Sequence, residues 1–178
     1  MNLWHDLSPG PNPPEILHAL VEIPKGSRNK YEFSKTDQVL KLDRVLYSSI
    51  HYPGDYGFVP QTLFDDGDPL DILVIVNQAT FPGCLIEVRP IGMLKIVDRG
   101  EPDNKILSVV NVDPTYAGYR DLDDVPRHYL VEVEHFFTTY KQLEGAIVDD
   151  LGWADVAETR TTIEAALQSY NASFKSES

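Results

Sequence analysis

"DDGDPLDILVIV", Asp65–Val76, sets four carboxylates within seven residues directly ahead of an unbroken apolar run. The apolar half decides the fold: an aliphatic, β-branched stretch with no polar alternation predicts a buried strand over Asp71–Val76. The acidic half raises the chemical question. Asp and Gly supply the turn that must precede a buried strand. Asp66, Asp68 and Asp71 can equally converge on hard divalent cations, which would cancel the repulsion among three close carboxylates.

Working outward, "ILHALVEI" (16–23), "QVLKLDRVLY" (38–47), "CLIEVRPIGMLKIV" (84–97) and "KILSVVNV" (105–112) are further β-rich runs bounded by Gly, Pro, Asp and Asn. Short connections between them suggest an antiparallel sheet curled into a barrel. Residues 8–14, "SPGPNPP", read as a stiff extended lead-in. Toward the C-terminus the period changes. In "VPRHYLVEVEHFFTTYKQLEG" (125–145), Leu130, Val133, Phe137 and Tyr140 recur at spacings of three and four, with Pro126 suited to a first turn and Gly145 to a stop. A second helix within residues 154–174 stripes Ile163, Ala166, Leu167, Tyr170 and Phe174 along one face. Strands first and helices last predict an α+β domain: five antiparallel strands in a barrel, with two C-terminal helices packed at its side. The tail "ASFKSES" (172–178) is expected to fray.

A chain of 178 residues suits one domain spanning 1–178. Its formal charge of −13, from 15 Lys and Arg against 28 Asp and Glu, argues against nucleic acid and anionic membranes as partners. The first twenty residues lack the basic start and apolar core of a signal peptide, and no apolar run is of membrane-spanning length. A soluble cytoplasmic protein is expected. The single cysteine, Cys84, lies in an apolar segment and reads as a structural thiol without a role.

The acidic loop is not an EF-hand. Counted from Asp66, that motif needs Gly sixth and Glu twelfth, where this chain has Asp71 and Asn77. In an extended segment Asp66 and Asp68 project to one face, Gly67 allows a tight bend, and Pro69 fixes the turn so that Asp71 can swing inward. A second acidic cluster, "VDRGEPDNK" from Val97 through Asp98 and Asp103 to Lys105, also follows an apolar strand, so two strand ends are expected to meet around one site. Oxygen donors alone favour Mg²⁺, Mn²⁺ or Ca²⁺ over zinc. His5, His18, His51, His128 and His135 are scattered and read as surface or packing residues. The loop "HYPGDYGFVP" holds Tyr52 and Tyr56 four residues apart, either packed over the barrel end or offering phenols to phosphate. Asp55 within it is expected to be solvated. Lys30, Arg44, Lys105 and Lys141 stand beside acids or tyrosines and are the informative cations of a base-poor chain.

"DGDPLDI" (66–72) resembles the D-x-D-P-x-D signature of the family I soluble inorganic pyrophosphatases. "EIPKGSRNKYE" (22–32), "DR" (43–44), "YPGDYGF" (52–58), "DRGEPDNK" (98–105) and "FFTTYKQLE" (136–144) stand around it in that family's order. The resemblance covers residues 15–170. It implies a five-stranded barrel of the OB type and Mg²⁺-dependent hydrolysis of pyrophosphate to two orthophosphates, with Mn²⁺ as a possible substitute. By resemblance, Asp66, Asp71 and Asp103 ligate the tightly held ion, Asp98 joins Asp103 on an ion that arrives with substrate, and Glu22 and Glu32 stand in an outer shell. Asp68 resembles the general base. Lys30, Arg44, Tyr56, Tyr140 and Lys141 resemble the pyrophosphate clamp, with Lys105 and Tyr52 in support. Bacterial members commonly form hexamers, which implies a homo-oligomer here.

One departure stands out. Where the family usually carries a basic and aromatic segment before "GW", this chain has "GAIVDDLGW", so Asp149 and Asp150 are expected to make the loop over the site more acidic. Two other functions compete with pyrophosphate hydrolysis. One is a binding module without turnover, which the presence of Lys30, Arg44 and Asp68 disfavours. The other is hydrolysis of a nucleotide or polyphosphate, disfavoured because no Gly-rich phosphate loop is present.

Overall fold

The computed structural model describes residues 1–175. In chain order the strands are β1 (Leu17–Ile23), β2 (Asn29–Ser34), β3 (Val39–Val45), β4 (Asp55–Phe58), β5 (Asp71–Ile75), β6 (Leu85–Asp98), β7 (Glu101–Pro102), β8 (Lys105–Val110) and β9 (Val148–Ala154). The α-helices are α1 (Arg127–Thr139) and α2 (Val156–Phe174). Among the described residues no helix is long and apolar enough to cross a membrane.

β1 pairs with both β4 and β6, so the path β1-β4-β5-β8-β6 closes on itself as a ring of five hydrogen-bonded strands. β7 and β9 attach along β6, while β2 and β3 form a separate two-stranded hairpin. The expectation of a wholly antiparallel sheet is corrected at one place: β5 and β8 run parallel, from Asp71 beside Lys105 to Ile75 beside Val109. The reason is topological. Strand direction cannot alternate all the way around an odd-membered ring, so at least one pair must be parallel.

β5 reads as a continuous apolar run because both of its faces are covered. Ile72 and Val74 join one core cluster with Ile163 and Ala166 of α2, while Leu73 and Ile75 join another with Val133, Phe136 and Phe137 of α1. Each such side chain contributes on the order of 2 kcal/mol of burial. β4 lies close against β1, and Gly57 makes that approach possible. A Cβ there would stand 1.8 Å from the Leu20 carbonyl oxygen, so only glycine fits.

Several expectations change in detail. The order of strands first and helices last fails because β9 falls between α1 and α2 and pairs with β6. α1 ends at Thr139, with Pro126 capping it from outside; Gly145 instead closes a short 3₁₀ turn over Gln142–Glu144 in left-handed conformation, φ 79°. α2 is capped by Asp155, whose side chain accepts from the Glu158 amide at 2.9 Å. It continues to Phe174, so residues 172–174 are helical and only 176–178 of the tail lie outside the described residues. The lead-in "SPGPNPP" is not extended: Asn12 and Ile16 exchange both backbone hydrogen bonds and fold it into a turn.

Candidate active site

The acidic loop is built from its own backbone. Phe64 N donates to Asp68 O at 2.8 Å, Gly67 N donates to Phe64 O at 3.0 Å, and Asp68 N donates to Asp66 Oδ1 at 2.9 Å. Gly67 takes φ 82°, the left-handed region where glycine carries no steric penalty. Leu70 N, donating to the buried Thr62 Oγ1 at 2.9 Å, delivers the chain into β5. Asp66 and Asp68 thus stand at the mouth of the strand, with Asp71 as its first residue.

The parallel pairing sets Asp71 beside Lys105, the first residue of β8. Lys105 Nζ donates to Asp71 Oδ2 and Asp103 Oδ1, each at 2.6 Å, with its side chain 3% exposed and packed over the Tyr56 and Phe137 rings. Asp98 closes β6 and pairs with Lys141 from the segment after α1; its Oδ1 is buried and has no hydrogen-bond partner among the described residues. The two strand ends expected to meet do so. Asp66, Asp68, Asp71, Asp98 and Asp103 line a single cleft of about 750 Å³, together with Glu22, Lys30, Glu32, Tyr56, Lys105, Tyr140 and Lys141.

Two predicted residues do not line it. Tyr52 is 2% exposed and lies beneath, its ring 5.4 Å from Tyr56 and 4.6 Å from Phe136. Arg44 is held by Glu144, with Nε at 2.5 Å and Nη2 at 3.3 Å, and by Asp43 at 2.5 Å. Lys30 is paired with Glu32 and, at 3.4 Å, with Asp43. Lys30, Lys105 and Lys141 therefore each rest on a carboxylate. Among the described residues no three His, Cys, Asp or Glu side chains form a ready metal cage; Lys105 stands between Asp71 and Asp103, and Lys141 is paired with Asp98.

The electrostatics carry the mark of that crowding. Burial pushes the Glu22 carboxyl up to about 8, outweighing the hydrogen bond its Oε1 accepts from Phe33 N at 2.7 Å, with Asp71 adding to the rise. Burial likewise raises Asp103 to about 6 against the opposing pull of Lys105. Asp66 is raised by the same cause. The phenols of Tyr56 and Tyr140 are buried and kept neutral, well above their ordinary range, and neither hydroxyl bonds a protein group among the described residues. They remain available as donors.

Asp55 corrects its expectation. It is fully buried and accepts from Lys25 N, Thr80 N and Thr80 Oγ1 at 2.6–3.0 Å, pinning two loops behind the tyrosines. Asp149 and Asp150 are exposed on β9, paired with Val97 and Ile96, and do not line the cleft; the acidic segment is a strand edge and not a loop over the site. Sequence reasoning missed Glu144, which anchors Arg44, and also Lys35 and Trp4, which line the cleft. Glu144 lies inside the quoted "FFTTYKQLE". Lys35 carries no local signal, since its sequence neighbours are Ser34 and Thr36.

A model of the family described as inorganic pyrophosphatase matches residues 19–171, and the chain belongs to the inorganic pyrophosphatase family, a family of hydrolases. Particular relatives extend over nearly the whole chain. It is 50% identical over 175 residues to the inorganic pyrophosphatase of Haloferax volcanii, covering 98% of this chain and 99% of that protein. It is 50% identical over 167 residues to the inorganic pyrophosphatase of Nostoc sp., covering 93% and 99%. The crystal structure of inorganic pyrophosphatase from Thermus thermophilus aligns with a TM-score of 0.93 at 41% identity, covering 96% of this chain and 99% of that one.

Proposed function

We propose that this chain hydrolyses inorganic pyrophosphate to two orthophosphates in the cleft between the starts of β5 and β8 and the end of β6. The observation that carries the reading is the alternation of carboxylates and ammonium groups there, with Lys105 shared between Asp71 and Asp103 at 2.6 Å. A substrate with three to four negative charges cannot enter a chain of formal charge −13 unless cations separate it from the acids.

The residues fit hard divalent ions. The donors are all oxygen, the Asp98 Oδ1 is buried without a partner among the described residues, and burial, with mutual repulsion added, lifts the neighbouring acids. Asp66, Asp71 and Asp103 would hold the resident Mg²⁺, with Mn²⁺ as a substitute, and Asp98 would share with Asp103 an ion accompanying substrate. When bound, such ions supply charge neutralisation and an acidified water.

The rest of the work falls to the protein's own groups. Asp68 accepts the proton of the attacking water from the loop that Gly67 bends into place. Lys30, Lys105 and Lys141 turn N–H donors from carboxylates to phosphate oxygens, and Tyr56 and Tyr140 donate neutral O–H groups beside them. Arg44 lies outside the cleft on Glu144 and Asp43, and would turn from them on the hairpin to meet the substrate, while Tyr52 supports Tyr56 from below. Glu22 and Glu32 set the outer shell. Catalysis of this kind is positioning and electrostatics without a covalent intermediate.

The closed ring of five strands is, in this reading, a barrel of the OB type within a single domain over 1–178. A homo-oligomer, a hexamer by resemblance, is supported by exposed apolar side chains at Val131, Leu143, Ile147 and Leu151, which sedimentation at working concentration tests. The activity is tested by phosphate release from pyrophosphate with Mg²⁺ and then with chelator, beside Asp68→Asn. Fast release abolished by chelator supports the reading; no release from folded protein with Mg²⁺ overturns it.

A further inference from the structure

We infer that Lys35 is a positioning residue for the reaction: its ammonium holds one oxygen of the Asp68 carboxylate and leaves the other for the proton. The inference rests on the reading of Asp68 as proton acceptor. Lys35 sits at the tip of the β2–β3 hairpin, just beyond β2. Its Nζ bonds Asp68 Oδ1 and, at 3.3 Å, Gly67 O, and lies 4.8 Å from the centre of the Trp4 ring. Three segments distant in sequence therefore meet at one ammonium group: the N-terminal turn, the hairpin tip and the acidic loop.

The surroundings of that ammonium are fixed. Trp4 is 5% exposed, and its Nε1 donates at 2.8 Å to the carbonyl of Thr62, the same threonine whose hydroxyl receives Leu70 N at the entry to β5. On the other side of the loop, Asp66 Oδ1 accepts from Asp68 N at 2.9 Å. Asp68 Oδ2 bonds no protein group among the described residues. A carboxylate that receives a proton from a bound water needs one oxygen aimed and unencumbered, and the terminal torsion of an exposed Asp is otherwise broad. Lys35 narrows that torsion by occupying the other oxygen. The same contact ties down the tip of the hairpin that carries Lys30 and Arg44, which shares no ladder hydrogen bonds with the ring of strands.

The size of the effect follows from exposure. The two side chains are 47% and 58% exposed, so the pair is solvated and sensitive to salt. Removing an exposed pair of this kind should change a rate by no more than about fivefold. The test is steady-state kinetics on pyrophosphate at saturating Mg²⁺ for the wild type, Lys35→Met, Lys35→Arg, Asp68→Asn and the Lys35→Met/Asp68→Asn double variant, at low and high salt. The expected result is a kcat about three- to fivefold lower in Lys35→Met with KM unchanged. Lys35→Arg should restore it, high salt should shrink the gap, and the Asp68→Asn background should show no further loss. An unchanged kcat in Lys35→Met while Asp68→Asn is inactive overturns the inference and leaves the base assignment standing. A rise in KM alone, or an equal loss in both backgrounds, overturns it too, because Lys35 would then act on something other than Asp68. Near-normal turnover in Asp68→Asn removes the base assignment and this inference with it.

Discussion

Glu22→Gln in ion-free protein should make stability at neutral pH higher, and the gain should depend on pH in a defined direction. Glu22 lies on β1 with 8% exposure, and burial raises its carboxyl from 4.5 to about 8. In the unfolded chain it ionises near 4.5. A group whose folded value is raised contributes its stability below the unfolded value and loses it as pH climbs through the folded one. Each pH unit within that window costs about 1.4 kcal/mol, so between pH 5 and pH 8 this residue removes roughly 4 kcal/mol of stability. Gln keeps an oxygen to accept from Phe33 N and has no proton to lose. Urea denaturation with chelator present, run for both proteins at pH 5 and pH 8, isolates the group because every other titration is shared. The variant should gain on the wild type by a few kcal/mol across that interval. A constant gap between the two proteins at both pH values would refute the assignment of Glu22 as a neutral, buried acid.

Four further outcomes are expected. Asp68→Asn should keep its melting behaviour and lose nearly all turnover, checked by circular dichroism beside phosphate release. Lys105→Met leaves Asp71 and Asp103 without their shared cation and should cost about 3–5 kcal/mol in chelator, read from urea midpoints. Gly57→Ala places a methyl against the Leu20 carbonyl and should cost more than about 3 kcal/mol or leave the protein insoluble. Changing Asp149 and Asp150 to Lys should leave KM for pyrophosphate unaltered, since neither lines the cleft; a clear shift would mean that β9 reaches the substrate.

Much of this was legible in the sequence where one physical signal dominated. β5 was readable because the five consecutive apolar residues 72–76, mostly β-branched and preceded by turn residues, suit a strand covered on both faces. The acidic residues were readable as a group because carboxylates at such density need a reason. β2 was not, since its "NKYEFS" carries polar side chains into a cleft and is only partly buried. β9 was hidden for a related cause: "VDDLGWA" is an edge strand whose apolar residues do not alternate and whose middle is exposed. Asp55 was misread because a local sequence cannot disclose that Lys25 and Thr80 will bring three donors to it. Glu144 and Lys35 escaped for the same reason, their partners Arg44 and Asp68 lying far off in the chain.

The parallel pair in the ring has a consequence for how the site is aligned. In an antiparallel pair the first residue of one strand faces the last of its neighbour, so two strand beginnings can never be side by side. Asp71 and Lys105 are both beginnings, and they touch because β5 and β8 run the same way. An odd number of strands thus requires two strand beginnings to share a rim; here the sequence puts an anion and a cation at them, and their spacing is ruled by backbone hydrogen bonds of the sheet. The alignment should last as long as the sheet does, with the amides of 72–75 and 106–109 among the slowest to exchange in deuterium oxide.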